Sequence, residues 1–481
     1  MKCQLRYNNR MAQRQCRSAN LNTRRITEMK KIVTMLLVVV MVLGLPACGS
    51  KTTTETKAPT EAKVDTPATE AKTDAPAAAG SVYYLNFKPE FDQALQGLAA
   101  SYTEKTGVPV KVVTAASGDY SNTLNAQMGK DGAPTIYNIG NMSGLKDWDE
   151  YALDLTGTAL AGELATNDFN LYNEAGELKA MGYCYESFGI IVNTKLLADA
   201  GHSLDEIKDF ASLKAVADDI HARAAELGFD AFSSAGLDGS SSWRFSGHLA
   251  NMPLYYEFRD DDVTEQPAEI KGTYLDNFRN IWDLYITDSA ADPTALSTAT
   301  GDQSEAEFGE GKAVFYQNGT WEYAALTADK FNLNPDEIAM IPIYCGVDGE
   351  EKAGLCSGTE NCWAINSQAK EEDIQASLDF LYWLVTDPDA SAVLVEQLGA
   401  VPFKNCPASA NKFIVDGNAL LADGKYAVTW AFNYTPNVDS WRATVVTALA
   451  AYSADPTDAN WEAVKTAFVD GWAIEYKTVN G

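Results

Sequence analysis

The sequence predicts a mixed α/β chain folded as two lobes. Three observations point there. A strand–helix–strand unit opens the body of the chain, strand and helix patterns keep alternating along it, and about 400 residues of such pattern exceed one comfortable hydrophobic core.

The opening unit starts at Ser81. Val82-Tyr83-Tyr84-Leu85-Asn86-Phe87 reads as a buried strand, and Lys88-Pro89-Glu90 breaks it. Phe91, Leu95, Leu98, Ala99 and Tyr102 then recur at the spacing of one helical face. Thr106-Gly107 stops that helix, and Val108–Val113 is the next strand. Two strands with a helix between them imply parallel pairing. Leu124–Met128 continues as helix, and Gly132-Ala133-Pro134 leads into a strand at Thr135–Ile139. Helical periodicity returns at Ile207–Ile220, Leu275–Tyr285, Ile374–Val385 and Trp461–Trp472. Strands are expected at Gly189–Asn193, Ala313–Gln317, Ile338–Ile343 and Cys362–Asn366. No repeat of fixed period occurs.

The formal net charge is -29 over 481 residues, which argues against nucleic acid as a partner because phosphate binding needs a basic groove. Residues 1–47 run the other way, with net charge +8. Within them, Met29-Lys30-Lys31 precedes the apolar run IVTMLLVVVMVLGL, 14 residues at 32–45, too short for a membrane-spanning helix. Basic, apolar and then small residues make a secretory signal. Leu45-Pro46-Ala47-Cys48 resembles a bacterial lipobox, which implies acylation of Cys48 and an anchor in the membrane. Met29 is the expected start of that signal. Segment 48–80, rich in Thr, Ala, Lys, Glu, Asp and Pro and free of aromatics, is expected to be a disordered tether because it cannot offset its ordering entropy.

Catalytic and metal signatures are missing. There is no Gly-x-Ser-x-Gly elbow and no phosphate-binding Walker loop, and Val314 stands where a dinucleotide fingerprint beginning at Gly309 needs its third glycine. The three histidines, His202, His221 and His248, form no ligand pair and read as surface or capping residues. Cys184, Cys345, Cys356, Cys362 and Cys406 have no zinc spacing. Cys356 and Cys362 fit either a loop disulfide or free thiols. No metal or cofactor is expected, and no enzyme activity.

Three stretches carry a resemblance to the family 1 extracellular solute-binding proteins of ABC importers, the maltose-binding-protein-like family. The first is Gly182-Tyr183-Cys184-Tyr185-Glu186-Ser187-Phe188-Gly189-Ile190-Ile191-Val192-Asn193-Thr194-Lys195-Leu196-Leu197, similar to the family's crossing strand and the helix after it. The second is Phe308-Gly309-Glu310-Gly311-Lys312-Ala313-Val314-Phe315-Tyr316-Gln317-Asn318-Gly319-Thr320-Trp321, similar to "F..GKAAM...G.W". The third, Gly358–Asn366, is similar to the strand that returns to the first lobe. The resemblance implies a two-lobed periplasmic-binding-protein-like fold of type II topology with the ligand in the cleft. By analogy the first lobe takes 81–187 plus 354–408, and the second takes 188–353 plus 409–481. It also implies a monomer on the outer face of the cytoplasmic membrane that binds a small carbohydrate and passes it to the permease subunits of an ABC importer.

A sugar ring has an apolar C–H face and a rim of hydroxyls, so its site mixes flat aromatic rings with groups that accept and donate hydrogen bonds. Trp321 matches the family's stacking tryptophan, and Glu186 matches a hydroxyl acceptor at the crossing strand. Lys88 and Glu90 follow the first strand at its carboxyl end, where open α/β sheets bind ligands. Asn141 follows the third strand, and Glu360 and Asn361 precede the returning one. Trp441 and Arg442 open a late helix. Trp441 fits two readings, a second platform in the cleft or a core residue beside Val445, Leu449 and Tyr452. Alternatives within and beyond this reading are a non-sugar solute on the same fold, an exported carbohydrate-active enzyme, and a cell-wall adhesin.

Overall fold

The computed structural model describes residues 80–116, 118–233 and 236–481. The secretory signal, Cys48 and the tether up to residue 79 lie outside the described residues.

The strands, in chain order, are β1 (Val82–Asn86), β2 (Val110–Thr114), β3 (Ile136–Asn138), β4 (Leu171–Tyr172), β5 (Leu178–Gly182), β6 (Glu186–Asn193), β7 (Asp230–Phe232), β8 (Ala313–Gly319), β9 (Ile338–Ile341), β10 (Ala353–Gly358), β11 (Cys362–Ile365) and β12 (Tyr426–Thr429). They form two sheets. The first runs β2-β1-β3-β11-β5-β4, with β1 parallel to β2 and β3. The second runs β12-β10-β6-β8-β7, and β9 pairs with β6. The chain changes sheet at 183–185, between β5 and β6, and returns at 359–361, between β10 and β11.

Both faces of each sheet are covered, which is why the central strands read as continuous apolar runs. On β1, Val82 and Tyr84 face Leu95, Leu98 and Tyr102 of the helix Asp92–Thr106, together with Phe380 and Leu384. Leu85 faces the other way, onto Tyr120, Leu124 and Tyr137. The same alternation holds on β6. Phe188, Ile190 and Val192 enter a large core with Trp282, Trp441, Trp461 and Trp472, whereas Ile191 packs with Phe308, Tyr316 and Phe413.

Two sequence readings resolve here. The helix Val438–Ala454 places Trp441, Val445, Leu449 and Tyr452 on one buried stripe. Trp441 is 0% exposed; its Nε1 donates to the Phe468 carbonyl at 2.9 Å, and its ring meets Phe468 and Trp472 edge-on. Its placement in the cleft is therefore corrected: helical spacing commits the ring to the core. Cys356 and Cys362 lie on strands of different sheets and are free thiols, as are Cys184, Cys345 and Cys406.

The second lobe also carries one deeply buried carboxylate with a structural task. Glu350 accepts from the backbone N–H groups of Phe210, Cys345, Gly346 and Val347 at 2.7, 2.7, 2.9 and 3.3 Å. It thereby ties the start of the helix Phe210–Ala222 to the turn after β9. Replacing it strands several buried donors, each costing about 1–3 kcal/mol. Glu350→Ala is expected to lower the unfolding free energy in urea by roughly 3 kcal/mol, and Glu350→Gln by less. An Ala variant as stable as the parent protein would show that water replaces the carboxylate at no cost.

Candidate functional site

The candidate site is built where the chain changes sheet. Asn86 ends β1 and folds the next loop onto itself: its Oδ1 accepts from Lys88 N at 3.1 Å, and its Nδ2 donates to the Lys88 carbonyl at 2.7 Å. Pro89 then starts a single 3-10 turn, Pro89–Phe91. The result turns the Lys88 side chain inward, where it is 4% exposed. Its ammonium lies 2.7 Å from Glu186 Oε1 and 2.8 Å from Glu90 Oε1. Burial opposes charge on Lys88, but Glu186 and then Glu90 outweigh it and hold the ammonium well above the usual lysine range.

Glu186 is the first residue of β6, and its second oxygen accepts from Asn361 Nδ2 at 2.6 Å. One carboxylate thus joins the loop after β1, the outgoing crossing and the returning crossing. Glu360 is set by its own backbone, whose carbonyl accepts from Asn138 Nδ2 at 3.0 Å. Its carboxylate faces Arg442, with Nη2 at 3.8 Å from Oε1. Burial raises its pKa, against the lowering effect of Arg442. Arg442, one position on from the buried Trp441, lays its guanidinium 5.0 Å from the Phe432 ring centroid. Asn141 caps the helix Met142–Trp148, its side chain accepting from Gly144 N at 2.9 Å. That bond accounts for the Asn141 side-chain oxygen.

The aromatic wall comes from the second sheet. β8 ends at Gly319, and the Trp321 ring folds back over it so closely that a Cβ at 319 would clash with three of its ring carbons. The Lys88 ammonium is 5.8 Å from the Trp321 ring centroid. Trp243, which the sequence reading passed over, lies 5.9 Å from Trp321 at 53°, and its Nε1 donates to the Ser240 carbonyl at 2.9 Å. His248, taken from sequence for a surface or capping residue, is instead 5% exposed. It stacks on Phe188 at 3.9 Å and contacts both Trp243 and Trp321. No spacing signal marks either residue: Trp243 sits in a serine-rich loop, and His248 lies on a single π-helical turn, Arg244–Leu249, which breaks the ordinary helical period.

Several polar atoms around these residues are sealed from solvent and have no hydrogen-bond partner among the described residues. They are Asn361 Oδ1, Gln317 Oε1, Asn433 Oδ1 and Arg442 Nε. Three are acceptors and one is a donor. The site therefore collects two indole rings, a neutral imidazole, internally paired charges and orphaned groups that a ligand with many hydroxyls could satisfy.

Glu322, next to Trp321, accepts from Asn318 Nδ2 at 2.9 Å. Burial, reinforced by Glu305, pushes its pKa from 4.5 up to about 8. The folded protein then holds a proton there that the unfolded chain has lost. The corresponding stability is present below pH 4.5 and fades as the pH rises to about 8. Glu322→Gln should gain stability relative to the parent between pH 5 and pH 9, read as a growing difference in thermal midpoint; a pH-independent difference would place the Glu322 pKa in the ordinary range.

A family model described as "Bacterial extracellular solute-binding protein" matches residues 97–419, more than half the chain. Solved structures share the fold. The SBP RafE in complex with raffinose is 15% identical, with a TM-score of 0.66, over 82% of this chain and 99% of that one. A chitin oligosaccharide binding protein is 16% identical, with a TM-score of 0.66, over 84% and 100%. The GacH receptor of Streptomyces glaucescens, solved unliganded and with acarbose, is 19% identical, with a TM-score of 0.61, over 83% and 99%. No curated protein sequence matches this chain.

Proposed function

This chain belongs to the bacterial extracellular solute-binding protein family, and from that premise we propose that it captures a carbohydrate between its two lobes and delivers it to the permease of an ABC importer. The observation that carries the reading is the pairing of Trp321 and Trp243 with sealed, unpartnered acceptors on Asn361, Gln317 and Asn433. An indole face suits the C–H face of a pyranose, and each hydroxyl can donate to one acceptor while accepting from Arg442 or Lys88. Glu186, Glu360, Asn361 and Arg442 are the proposed polar contacts, with Glu90 at the more exposed edge and Asn141 behind the loop after β3. The chain acts as a carrier in this scheme, so bound sugar leaves it chemically unchanged. Fold likeness to proteins solved with raffinose and acarbose is consistent with this class of ligand.

Calorimetric titration with raffinose, maltotriose, xylotriose and chitotriose tests the reading, and at least one should bind. Trp321→Ala should weaken that sugar by roughly tenfold or more, the scale of one lost aromatic platform, with an unchanged far-ultraviolet circular dichroism spectrum. Unchanged affinity would remove Trp321 from the site.

The same proposal holds the protein at the outer face of the membrane through acylated Cys48. Among the described residues no helix is long and apolar enough to cross a membrane. Cys48→Ala expressed in a bacterial host should move the protein from the membrane fraction to the soluble extracytoplasmic one. Retention in the membrane would rule out this anchor.

A further inference from the structure

The feature not yet explained is the placement of a histidine at the centre of the site. His248 belongs to a π turn closed by the bond from Ala250 N to the Phe245 carbonyl, 3.0 Å. Three aromatic side chains fix its ring. Phe188 lies parallel beneath it at 3.9 Å and 8°, Trp243 meets it nearly edge-on at 5.0 Å, and Trp321 leans over it at 5.4 Å. Gln317, from the middle of β8, presents its side-chain nitrogen to Nδ1 at 3.3 Å. With the Gln317 amide in this orientation its N–H donates and Nδ1 accepts, and a neutral ring then carries its proton on Nε2.

Nε2 makes no hydrogen bond among the described residues, and it is not one of the atoms sealed from solvent without a partner. The ring carries no charge. Burial first, then Arg442 from the helix Val438–Ala454 and Arg244 from its own turn, keep its pKa well below the usual histidine value. It is therefore a rigid, neutral donor between the two indole rings.

We infer that His248 is a specificity-determining residue, donating its Nε2–H to a hydroxyl or ring oxygen of the bound saccharide. The inference rests on the carbohydrate reading and adds to it a single directed donor. Asn361, Gln317 and Asn433 supply orphaned acceptors that any hydroxyl can satisfy by rotating. A fixed imidazole N–H instead demands an acceptor atom at one place, and a ligand lacking it leaves the donor unpaired.

The chain contains three histidines, so protein labelled with 15N in histidine gives three imidazole spectra. In the protein without sugar, one ring should be the neutral Nε2–H tautomer from pH 5.5 to 8, assigned to His248 by its loss in His248→Phe. Adding the tightest binder among raffinose, maltotriose, xylotriose and chitotriose should shift that Nε2 and leave His202 and His221 in place. His248→Phe keeps a flat ring on Phe188 and should weaken the same sugar by roughly tenfold. An Nδ1–H tautomer, or an unshifted His248 signal while calorimetry reports binding, overturns the inference and leaves the carbohydrate reading standing. Failure of every saccharide to bind overturns both.

Discussion

The arrangement depends on how the Glu186 carboxylate is shared. It is buried at the point where the chain leaves one sheet for the other, and its two oxygens are divided between Lys88 and Asn361. A charge so placed is tolerable only when paired and hydrogen-bonded, because removing it from water costs several kcal/mol. A buried pair of this kind adds little net stability; its value is positional. Lys88 can satisfy Glu186 only if the loop after β1 lies against the crossing strand, and Asn361 only if the return segment lies beside both. The network therefore sets the spacing of three chain segments, and Trp321 finds its distance from Lys88 within that frame.

Much of this was legible in the sequence, for reasons that differ by residue. The helix after β1 declares itself through the spacing of Phe91, Leu95, Leu98 and Tyr102, and the structure forms Asp92–Thr106 there. Lys88, Glu186 and Asn361 are polar residues bordering apolar strands, a position from which a side chain can reach a cleft. Trp441 lies on two patterns at once, and burial on a helical stripe decided between them. His248 was out of reach because the π turn that carries it obeys neither the helical nor the strand period. Trp243 was missed because a tryptophan in a serine-rich loop has no pattern to announce it. Strands β4, β5, β7, β10 and β12 escaped notice as well: Leu171–Tyr172 has only two residues and Asp230–Phe232 three, Tyr426–Thr429 is paired at an edge of its sheet, and Leu178–Gly182 and Ala353–Gly358 carry glycines and small residues that blur the strand pattern.

The proposed carbohydrate reading fits an asymmetry in the chemistry of the site. The carboxylates of Glu90 and Glu186 share one ammonium, and Glu360 faces Arg442. Charge is thus balanced largely within the protein, leaving acceptor atoms as the principal unmet need. A fully cationic ligand would compete with Lys88 for carboxylates it already holds at 2.7 and 2.8 Å. A hydroxyl needs no such displacement: it donates to an amide oxygen and accepts from a guanidinium without changing the charge of the cleft.

Strand order then links recognition to the relation between the lobes. Because the first sheet runs β2-β1-β3, the loops after β2 and β3 flank the β1 loop that bears Lys88 and Glu90. The loop after β2 meets the second lobe backbone to backbone: a Cβ on Gly118 would stand 2.5 Å from the Gly239 carbonyl, and Gly118 has φ of 75°, so both space and conformation require glycine there. The helix that follows β3, Met142–Trp148, meets it through Ser143 Oγ, which donates to the Pro436 carbonyl at 2.6 Å. One of these contacts is a close backbone approach and the other a single hydrogen bond, and small polar contacts of this kind hold two lobes together only weakly. In the arrangement described, the central acceptors are sealed and the flanking segments touch the second lobe. A solute that satisfies them stabilises the closed arrangement by its differential affinity for it, whereas one that leaves an acceptor or the His248 donor unpaired adds a cost to that arrangement alone. On the proposed reading, recognition and closure are one equilibrium, governed by the hydrogen bonds at the centre.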